Sequence, residues 1–182
     1  MRLGIADHFG WAVAVTADSA HDVVDRRRIA LVEPGVSEAP VHYDARHLDD
    51  AGLAALITSA RASIARATAT ALDEIAASVP EPIVSVSLRA WSPDFPTDLT
   101  VLRRSPYEAR ADAVMYRQVI AEVAAARGWA VCLYLAKDVE GQASAALGAR
   151  ADHVLAGPRT RIGPPWTKDH RVALAATVVA SF

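Results

Sequence analysis

Residues 1–16, MRLGIADHFGWAVAVT, predict two antiparallel strands joined by a tight turn. Apolar side chains alternate with small ones on both sides of a break at Phe9–Gly10: Leu3 and Ile5 precede it, and Trp11, Val13 and Val15 follow it. A period of two residues is typical of β-strands, and a glycine at the break favours a hairpin. The first strand is therefore expected to end at Asp7, beside the turn.

Asp7 occupies a position that suits a metal ligand. A carboxylate at the end of a central strand is held rigidly by the sheet while its oxygens reach solvent, and divalent cations such as Mg²⁺ prefer hard oxygen ligands. The alternative interpretation is that Asp7 and His8 are only turn residues. The hairpin sequence leaves both interpretations open.

The size and charge of the chain limit the classes of protein to consider. Its 182 residues predict a single domain, residues 1–182, that is large enough to bury its own core. Residues 1–100 carry 8 basic and 14 acidic side chains, whereas residues 101–182 carry 11 basic and 7 acidic ones. The net charge of −2 argues against a generally basic nucleic-acid coat. The basic excess of the second half indicates either an anionic partner or ordinary surface ion pairs.

Cys132 is the only cysteine, so the chain has no intramolecular disulfide and no cysteine-rich zinc site. It lies in the apolar run 130–134, which favours a small buried hydrophobe over a nucleophile. The first residues predict a strand rather than a basic segment with an apolar core, and no apolar run approaches the roughly 20 residues of a membrane span. We therefore expect a soluble protein of the cytoplasm that has no membrane partner.

The rest of the sequence predicts alternating helices and strands. In chain order these are a third strand at 22–32, a helix at about 50–79 capped by Asp49 or Asp50, a fourth strand at 83–88, a helix at about 105–127, a fifth strand at 129–134, a helical segment at 138–155 with a break near Gly148, and a last helix beginning between Thr167 and Asp169. Ser105, Pro106 and Glu108 have the spacing of a serine cap, a first-turn proline and a capping-box glutamate.

The order of these elements resembles that of the ribonuclease H-like superfamily. The resemblance is greater to bacterial Holliday-junction resolvases of the RuvC type, through two segments. Residues 4–15, GIADHFGWAVAV, are similar to the opening "GIDxGxxxxGxAV" pattern, and residues 116–140, YRQVIAEVAAARGWAVCLYLAKDVE, are similar to a helix, glycine, strand and "Tyr-x-x-Lys/Arg-x-Val" run. The resemblance implies an α/β fold with a five-stranded mixed sheet, three strands antiparallel plus two parallel, and helices on both faces.

In that family, about four carboxylates from the first strand, the fourth strand and the last helix hold two divalent ions that hydrolyse a phosphodiester. Asp7 matches the first-strand acid. The fourth strand departs from the pattern, because Leu88 and Arg89 stand where a glutamate is expected, and a cation there repels metal. The last helix keeps Asp169 as its one carboxylate, followed by His170. The resemblance thus implies Mg²⁺ or Mn²⁺ held by Asp7 and Asp169, with His170 as a third ligand or base.

Asp169 and His170 also have structural interpretations, because an acid in the first turn caps free amides and surface histidines are common. Six residues are candidates for substrate binding, through guanidinium or ammonium contacts to phosphates or through stacking on a base: Arg89, Trp91, Arg159, Arg161, Lys168 and Arg171. A tryptophan in a loop also commonly covers the edge of a core. The sequence contains no Gly-rich phosphate loop and no GxSxG nucleophile elbow.

Two functions remain open at this stage. The first is a metal-dependent nuclease-like protein that hydrolyses phosphodiesters in structured nucleic acid, and retention of Asp7 and Asp169 favours it. The second is a catalytically silent domain of the same fold that binds nucleic acid or a protein partner, and loss of the fourth-strand acid favours it. Actin-like and sugar-kinase relatives are disfavoured because they need two such domains. The resemblance also implies a homodimer, because a junction has two symmetry-related strands.

Overall fold

A computed structural model describes residues 1–180. The strands are β1 (Arg2–Asp7), β2 (Trp11–Ala17), β3 (Val23–Ala30), β4 (Ser85–Arg89) and β5 (Ala130–Tyr134). The helices are α1 (Asp50–Ser78), α2 (Leu99–Leu102), α3 (Glu108–Ala125), α4 (Val139–Leu147), α5 (Pro158–Arg161) and α6 (Lys168–Val179). Shorter helical turns lie at Pro40–Asp44, Ala45–His47, Gly148–Arg150 and Asp152–Ala156.

The five strands form one sheet in the order β3-β2-β1-β4-β5. β1 pairs with β2 antiparallel, and β2 pairs with β3 antiparallel. β4 lies parallel to β1 on its other side, and β5 lies parallel to β4. The predicted α/β architecture, with three antiparallel strands and two added parallel strands, is confirmed.

Helices cover both faces of the sheet, as predicted. Leu3 and Ile5 of β1 pack with residues of α1 and α3 in one buried cluster. Ala6 of β1, and Val13 and Val15 of β2, pack with residues of α4 and α6 in a second one. The alternation along the opening hairpin thus distributes its side chains between two cores, because successive side chains of a strand point to opposite faces.

Gly4 sets the distance between α6 and the centre of the sheet. A Cβ atom at this position would lie 1.8 Å from the carbonyl oxygen of Ala173 in α6. A contact this short is sterically forbidden, so a residue without a side chain is required where the helix crosses β1. The absence of a side chain lets α6 lie directly on β1.

The start of α1 was predicted correctly and the start of α3 was not. Asp49 caps α1, and its carboxylate accepts a hydrogen bond of 2.7 Å from the amide of Gly52. The predicted capping box at Ser105 is wrong, because α3 begins at Glu108 with no side-chain cap. The amides of Tyr107 and Glu108 instead donate to the carbonyl oxygen of Arg104. A backbone turn therefore makes the hydrogen bonds that a serine cap would have made.

Other local features refine the predicted pattern. The short helix α2 was not predicted, and Asp98 caps it by accepting from the amides of Thr100 and Val101. The predicted break near Gly148 is present, and this residue has a φ of +56° that favours glycine.

Among residues 1–180, no helix combines the length and the apolar character that crossing a bilayer requires.

Candidate functional site

The carboxyl ends of three parallel strands meet at one end of the sheet. β1 ends at Asp7, β4 ends at Arg89 and β5 ends at Tyr134, and the register pairs Arg89 with Tyr134. Side chains at the carboxyl ends of parallel strands are a common location for binding sites in open α/β sheets. Arg117 reaches the same place from α3. We call Asp7, Arg89, Arg117 and Tyr134 the carboxyl-end cluster.

Asp7 is held by an arginine rather than left open to solvent. The Nε atom of Arg117 donates to Oδ2 of Asp7 over 2.8 Å. The two side chains are only 4% and 11% exposed for Asp7 and Arg117, respectively. A charge-assisted hydrogen bond in such a poorly solvated place is strong, and removing one partner leaves the other charge buried. The negative charge of Asp7 is therefore neutralised within the protein.

Arg89 lies beside the hydroxyl group of Tyr134. Its Nε atom is buried, and it has no hydrogen-bond partner in the described part of the chain. The hydroxyl of Tyr134 donates to the carbonyl oxygen of Ile5 over 2.8 Å. Burial raises the pKa of Tyr134 well above its usual range, Asp7 acts in the same direction, and the guanidinium groups of Arg89 and Arg117 oppose it. Tyr134 is thus neutral, and the carboxyl-end cluster carries two positive charges and one negative charge.

Asp169 also lies at this end of the sheet, but it has its own partner. Its Oδ2 atom is 3.0 Å from Nε2 of His8, the residue after Asp7. The ring of His8 stacks on Trp11 with 4.1 Å between centroids, and the guanidinium carbon of Arg28 lies 4.1 Å from the Trp11 ring centroid. The two predicted metal ligands therefore come to the same region, linked through His8, while each carboxylate is bonded to a different side chain.

The donor set does not fit the two-ion centre that the family resemblance implies. Among residues 1–180, no three His, Cys, Asp or Glu side chains are grouped so that they could hold a metal ion. The charges account for this, because Arg117 is hydrogen-bonded to Asp7 and Arg89 ends the neighbouring strand β4, where the family resemblance implies an acid. Cations in these positions oppose the binding of Mg²⁺ or Mn²⁺.

His170 takes part in capping α6. Its Nδ1 atom accepts a hydrogen bond of 3.2 Å from the amide of Thr167 and lies 2.8 Å from the Thr167 hydroxyl. The side chain is buried and packs against Trp166 with 5.5 Å between ring centroids. Burial lowers the pKa of His170, Arg26 lowers it further, and Asp169 opposes them. A neutral ring with Nδ1 engaged by the backbone suits a structural role.

The structure separates the predicted phosphate-binding residues. The Nη1 atom of Arg161 lies 3.3 Å from Oδ1 of Asp22, the residue before β3. Because β2 is antiparallel to both of its neighbours, β3 runs in the same direction as β1 and begins at the same end of the sheet. Arg161 is therefore at the amino end of the sheet, opposite the carboxyl-end cluster. Arg171 of α6 pairs with Glu140 at 3.3 Å. Arg159 and Lys168 are exposed, whereas Trp91 is partly buried and packs against the core beneath α1 and α3.

Two further residues complete the comparison with the sequence. Arg117 belongs to the basic excess of the second half, but its pairing with Asp7 was not predicted, although a charged residue among the buried positions Tyr116, Val119 and Ile120 of α3 is a signal that could have identified it. Cys132 is partly buried, and burial raises the pKa of its thiol, which disfavours a nucleophilic thiolate.

Comparisons with known proteins support the architecture. No protein-family model and no curated protein matches this chain. A solved structure of T. thermophilus RuvC in complex with a Holliday junction substrate matches it with a TM-score of 0.54 and 11% sequence identity, over 97% of this chain and 89% of that one. An identity this low shows the fold alone. With its three antiparallel and two parallel strands between helices, the chain therefore has the ribonuclease H-like fold that its sequence predicted.

Proposed function

We propose that this chain is a catalytically silent ribonuclease H-like domain that binds nucleic acid through the carboxyl end of its sheet. The observation that carries the proposal is the buried pairing of Asp7 with Arg117, at the end of the sheet where β4 ends in Arg89. Hydrolysis of a phosphodiester by two metal ions needs closely spaced acidic ligands. Here one acid is neutralised and a guanidinium group stands where another acid is expected, so the cluster attracts anions instead of cations.

Nucleic acid is the anion that best suits this arrangement. Guanidinium groups bind phosphate oxygens through paired hydrogen bonds, and the second half of the chain has an excess of basic side chains. The similar solved structure, RuvC, is in complex with a Holliday junction substrate. A domain with the same fold and an inverted charge at the site is suited to retain phosphate binding without cleavage.

A metal-dependent nuclease is the second candidate, and the convergence of Asp7 and Asp169 on one region favours it. His8 follows Asp7 in the chain and contacts Asp169 at 3.0 Å. For this function, Arg117 would have to leave Asp7 when Mg²⁺ or Mn²⁺ binds.

Two other expectations stay predictions: a cytoplasmic location and a homodimer, the latter measurable by sedimentation equilibrium.

The two candidates are separated by measuring binding and cleavage in parallel on the full chain. Fluorescence anisotropy with a four-way junction, a duplex and a single strand of matched length should give affinities that fall steeply as salt rises, because phosphate contacts release counterions. The same labelled substrates should remain intact on denaturing gels with Mg²⁺ or Mn²⁺. Cleavage that disappears in Asp7→Asn would establish the nuclease instead. No binding at low salt would refute both functions and favour a protein partner.

A further inference from the structure

We infer that a cavity between α1, α2 and α3 is a binding site for a small neutral aromatic molecule that carries one oxygen acceptor. The cavity has a volume of about 230 Å³. The helical turn at Pro40–Asp44 and the loop before α2 also line it. No residue of the carboxyl-end cluster lines the cavity, so this inference goes beyond the proposed function and does not depend on it.

The walls of the cavity are mainly apolar and belong to a buried cluster of their own. Val41, Leu102 and Ala111 form this cluster, and Phe95 and Leu99 pack against it. Protein interiors have few voids larger than a water molecule, because close packing maximises dispersion contacts. A void of this size among apolar side chains is suited to an apolar occupant, which would regain the contacts that the walls lack.

One wall of the cavity is held in place by its neighbours. The ring of Phe95 meets the ring of Tyr107 edge-on, with 5.8 Å between centroids. The guanidinium carbon of Arg110 lies 5.7 Å from the centroid of the Phe95 ring. An aromatic ring fixed in this way can contact another planar group without losing further side-chain freedom.

The size of the cavity limits its occupant to one or two rings. A cavity of about 150 Å³ lined by Leu, Ile and Phe binds benzene, and sites for drug-sized ligands span about 300–1,000 Å³. The volume of about 230 Å³ lies between these values. The occupant is therefore larger than benzene and smaller than a drug-sized molecule.

The polar groups of the lining indicate an uncharged occupant with an oxygen acceptor. Among residues 1–180, Arg61 is the only charged side chain of the lining, and its Nη2 atom donates to both carboxylate oxygens of Glu122 at 2.9 and 3.1 Å. A neutral ligand leaves this ion pair intact, whereas a carboxylate would compete with Glu122.

Gln118 supplies the hydrogen bond that would select the oxygen. Its Oε1 atom accepts from Nη1 of Arg61 over 3.4 Å, so its amide nitrogen is the atom of this side chain that can donate to a ligand. The other polar side chain of the lining, Thr97, is exposed. The chemical class that fits is thus a neutral aromatic ketone, ester or alcohol.

Methionine-methyl NMR spectra of the full chain test the site. The chain has two methionines: Met115 lines the cavity, whereas Met1 precedes β1 and does not. Acetophenone is the probe, toluene is its counterpart without an oxygen, and benzoate is its charged counterpart. Acetophenone should shift the Met115 methyl resonance saturably and leave Met1 unchanged. Its affinity should exceed that of toluene on the order of tenfold, because toluene lacks the hydrogen bond, and benzoate should give no saturable shift.

Three results of this titration would overturn the inference. The first is a Met115 resonance that does not shift with acetophenone. The second is an equal shift of Met1 and Met115, which would show a general solvent effect. The third is benzoate binding as tightly as acetophenone, which would show that the site does not take neutral molecules.

A variant that fills the cavity places the ligand inside it. Ala111→Leu adds apolar atoms to the buried wall and should abolish the saturable shift, while the unfolding midpoint stays at the parent value or rises. The matched control is Ala109→Leu on the exposed side of the same helix, which should leave acetophenone affinity unchanged. Parent-like binding by folded Ala111→Leu would show that the ligand binds elsewhere and that the inference is wrong.

Gln118→Met tests the acceptor and does not depend on whether Ala111→Leu folds, because Gln118 is only partly buried. The substitution keeps a side chain of similar length and removes the amide. Acetophenone affinity should fall on the order of tenfold, while toluene affinity stays at the parent value. Unchanged acetophenone affinity, or an equal loss for both molecules, would overturn the assignment of an oxygen acceptor.

Discussion

The edge strand and the carboxyl end of the sheet use arginine in opposite ways. In the middle of the edge strand β3, Arg26 donates to four carbonyl oxygens of the segment 162–165 at 2.6–3.3 Å, and its guanidinium group lies 5.9 Å from the Trp166 ring centroid. At the carboxyl end, Arg117 bonds Asp7 through one nitrogen and Arg89 keeps a buried Nε without a partner in the described residues. The donors of Arg26 are therefore saturated by backbone oxygens, whereas Arg89 bonds the side chain of Tyr134 and keeps one donor that is buried and unsatisfied among residues 1–180.

The largest effect on stability is expected at Gly4, in the central strand β1. Gly4→Ala places a methyl group on the carbonyl oxygen of Ala173, which α6 can relieve only by moving off β1. Because α6 covers one face of the sheet, we expect a loss of about 4 kcal/mol or more in the free energy of unfolding. Urea denaturation checks the value. The control is Gly141→Ala in α4, where the new methyl meets no atom within 4 Å and should stabilise the helix by about 0.5–1 kcal/mol.

Arg26→Gln tests the arginine whose donors are saturated by backbone oxygens. The loss of a charge bonded to four carbonyl oxygens is expected to lower the free energy of unfolding by about 3 kcal/mol. The matched control is Arg28→Gln on the same strand, which among residues 1–180 loses the contact with Trp11 and should cost about 0.5–1 kcal/mol. Equal losses for the two variants, measured by urea denaturation at equal slope, would contradict the structural role of Arg26.

Asp112 is a second buried carboxylate, and unlike Asp7 it has no arginine or lysine partner among residues 1–180. Asp112 of α3 is buried and accepts from the amides of Val41 and His42 at 3.1 and 2.9 Å. Burial raises the pKa of Asp112 to about 6, although both backbone hydrogen bonds and the nearby His42 lower it, and Asp44 raises it. Asp112 therefore binds its proton more tightly in the folded state than in the unfolded state.

The stability contributed by this proton is fully present below pH 3.8 and is lost as the pH rises to about 6. The expected loss is about 3 kcal/mol across this range. Asp112→Asn should remove that part of the pH dependence, as measured by urea denaturation of parent and variant at several pH values. An unchanged pH profile would show that Asp112 does not titrate there.

Arg89→Gln is expected to have the smallest effect on stability. It relieves the desolvation cost of a buried Nε that has no partner among residues 1–180, but it loses the side-chain hydrogen bond with Tyr134, so the free energy of unfolding should change by no more than about 0.5 kcal/mol. Thermal unfolding in a buffer without phosphate or sulfate is the measurement. If Arg89→Gln lowers the free energy of unfolding as much as Arg26→Gln does, Arg89 has a structural role and the contrast between the two arginines is wrong.

Local sequence patterns were enough to predict most of the fold. The opening hairpin and the start of α1 depend on neighbouring residues, namely the alternation around Phe9–Gly10 and the hydrogen bond from Gly52 to Asp49. At Ser105 the same kind of pattern was misleading, because the backbone of Arg104 competes for the amides that a serine cap would bind. Local motifs predict structure well only where no adjacent turn satisfies the same groups.

The candidate site depends on contacts that no local pattern contains. Asp7 was correctly placed at the end of β1, but its partner Arg117 is 110 positions away in sequence. Arg161 and Arg89 lie at opposite ends of the sheet because of the strand order: Arg161 contacts Asp22 at the start of β3, whereas Arg89 lies at the end of β4. Residue types therefore predicted the chemistry available to the chain, while the topology decided which groups act together.

The contacts of Trp11 with Arg28 and His8 make its indole ring a fluorescence reporter of the surroundings of His8. Trp11 lies between a guanidinium group and an imidazole ring, and the imidazole also contacts Asp169 in α6. The imidazole ring of His8, stacked on the indole ring at 4.1 Å, is the neighbour expected to quench indole emission when it is protonated. Any displacement of α6 relative to β1 would move His8 and change the emission intensity. A variant that keeps Trp11 as its only tryptophan would therefore report movement of the last helix in real time.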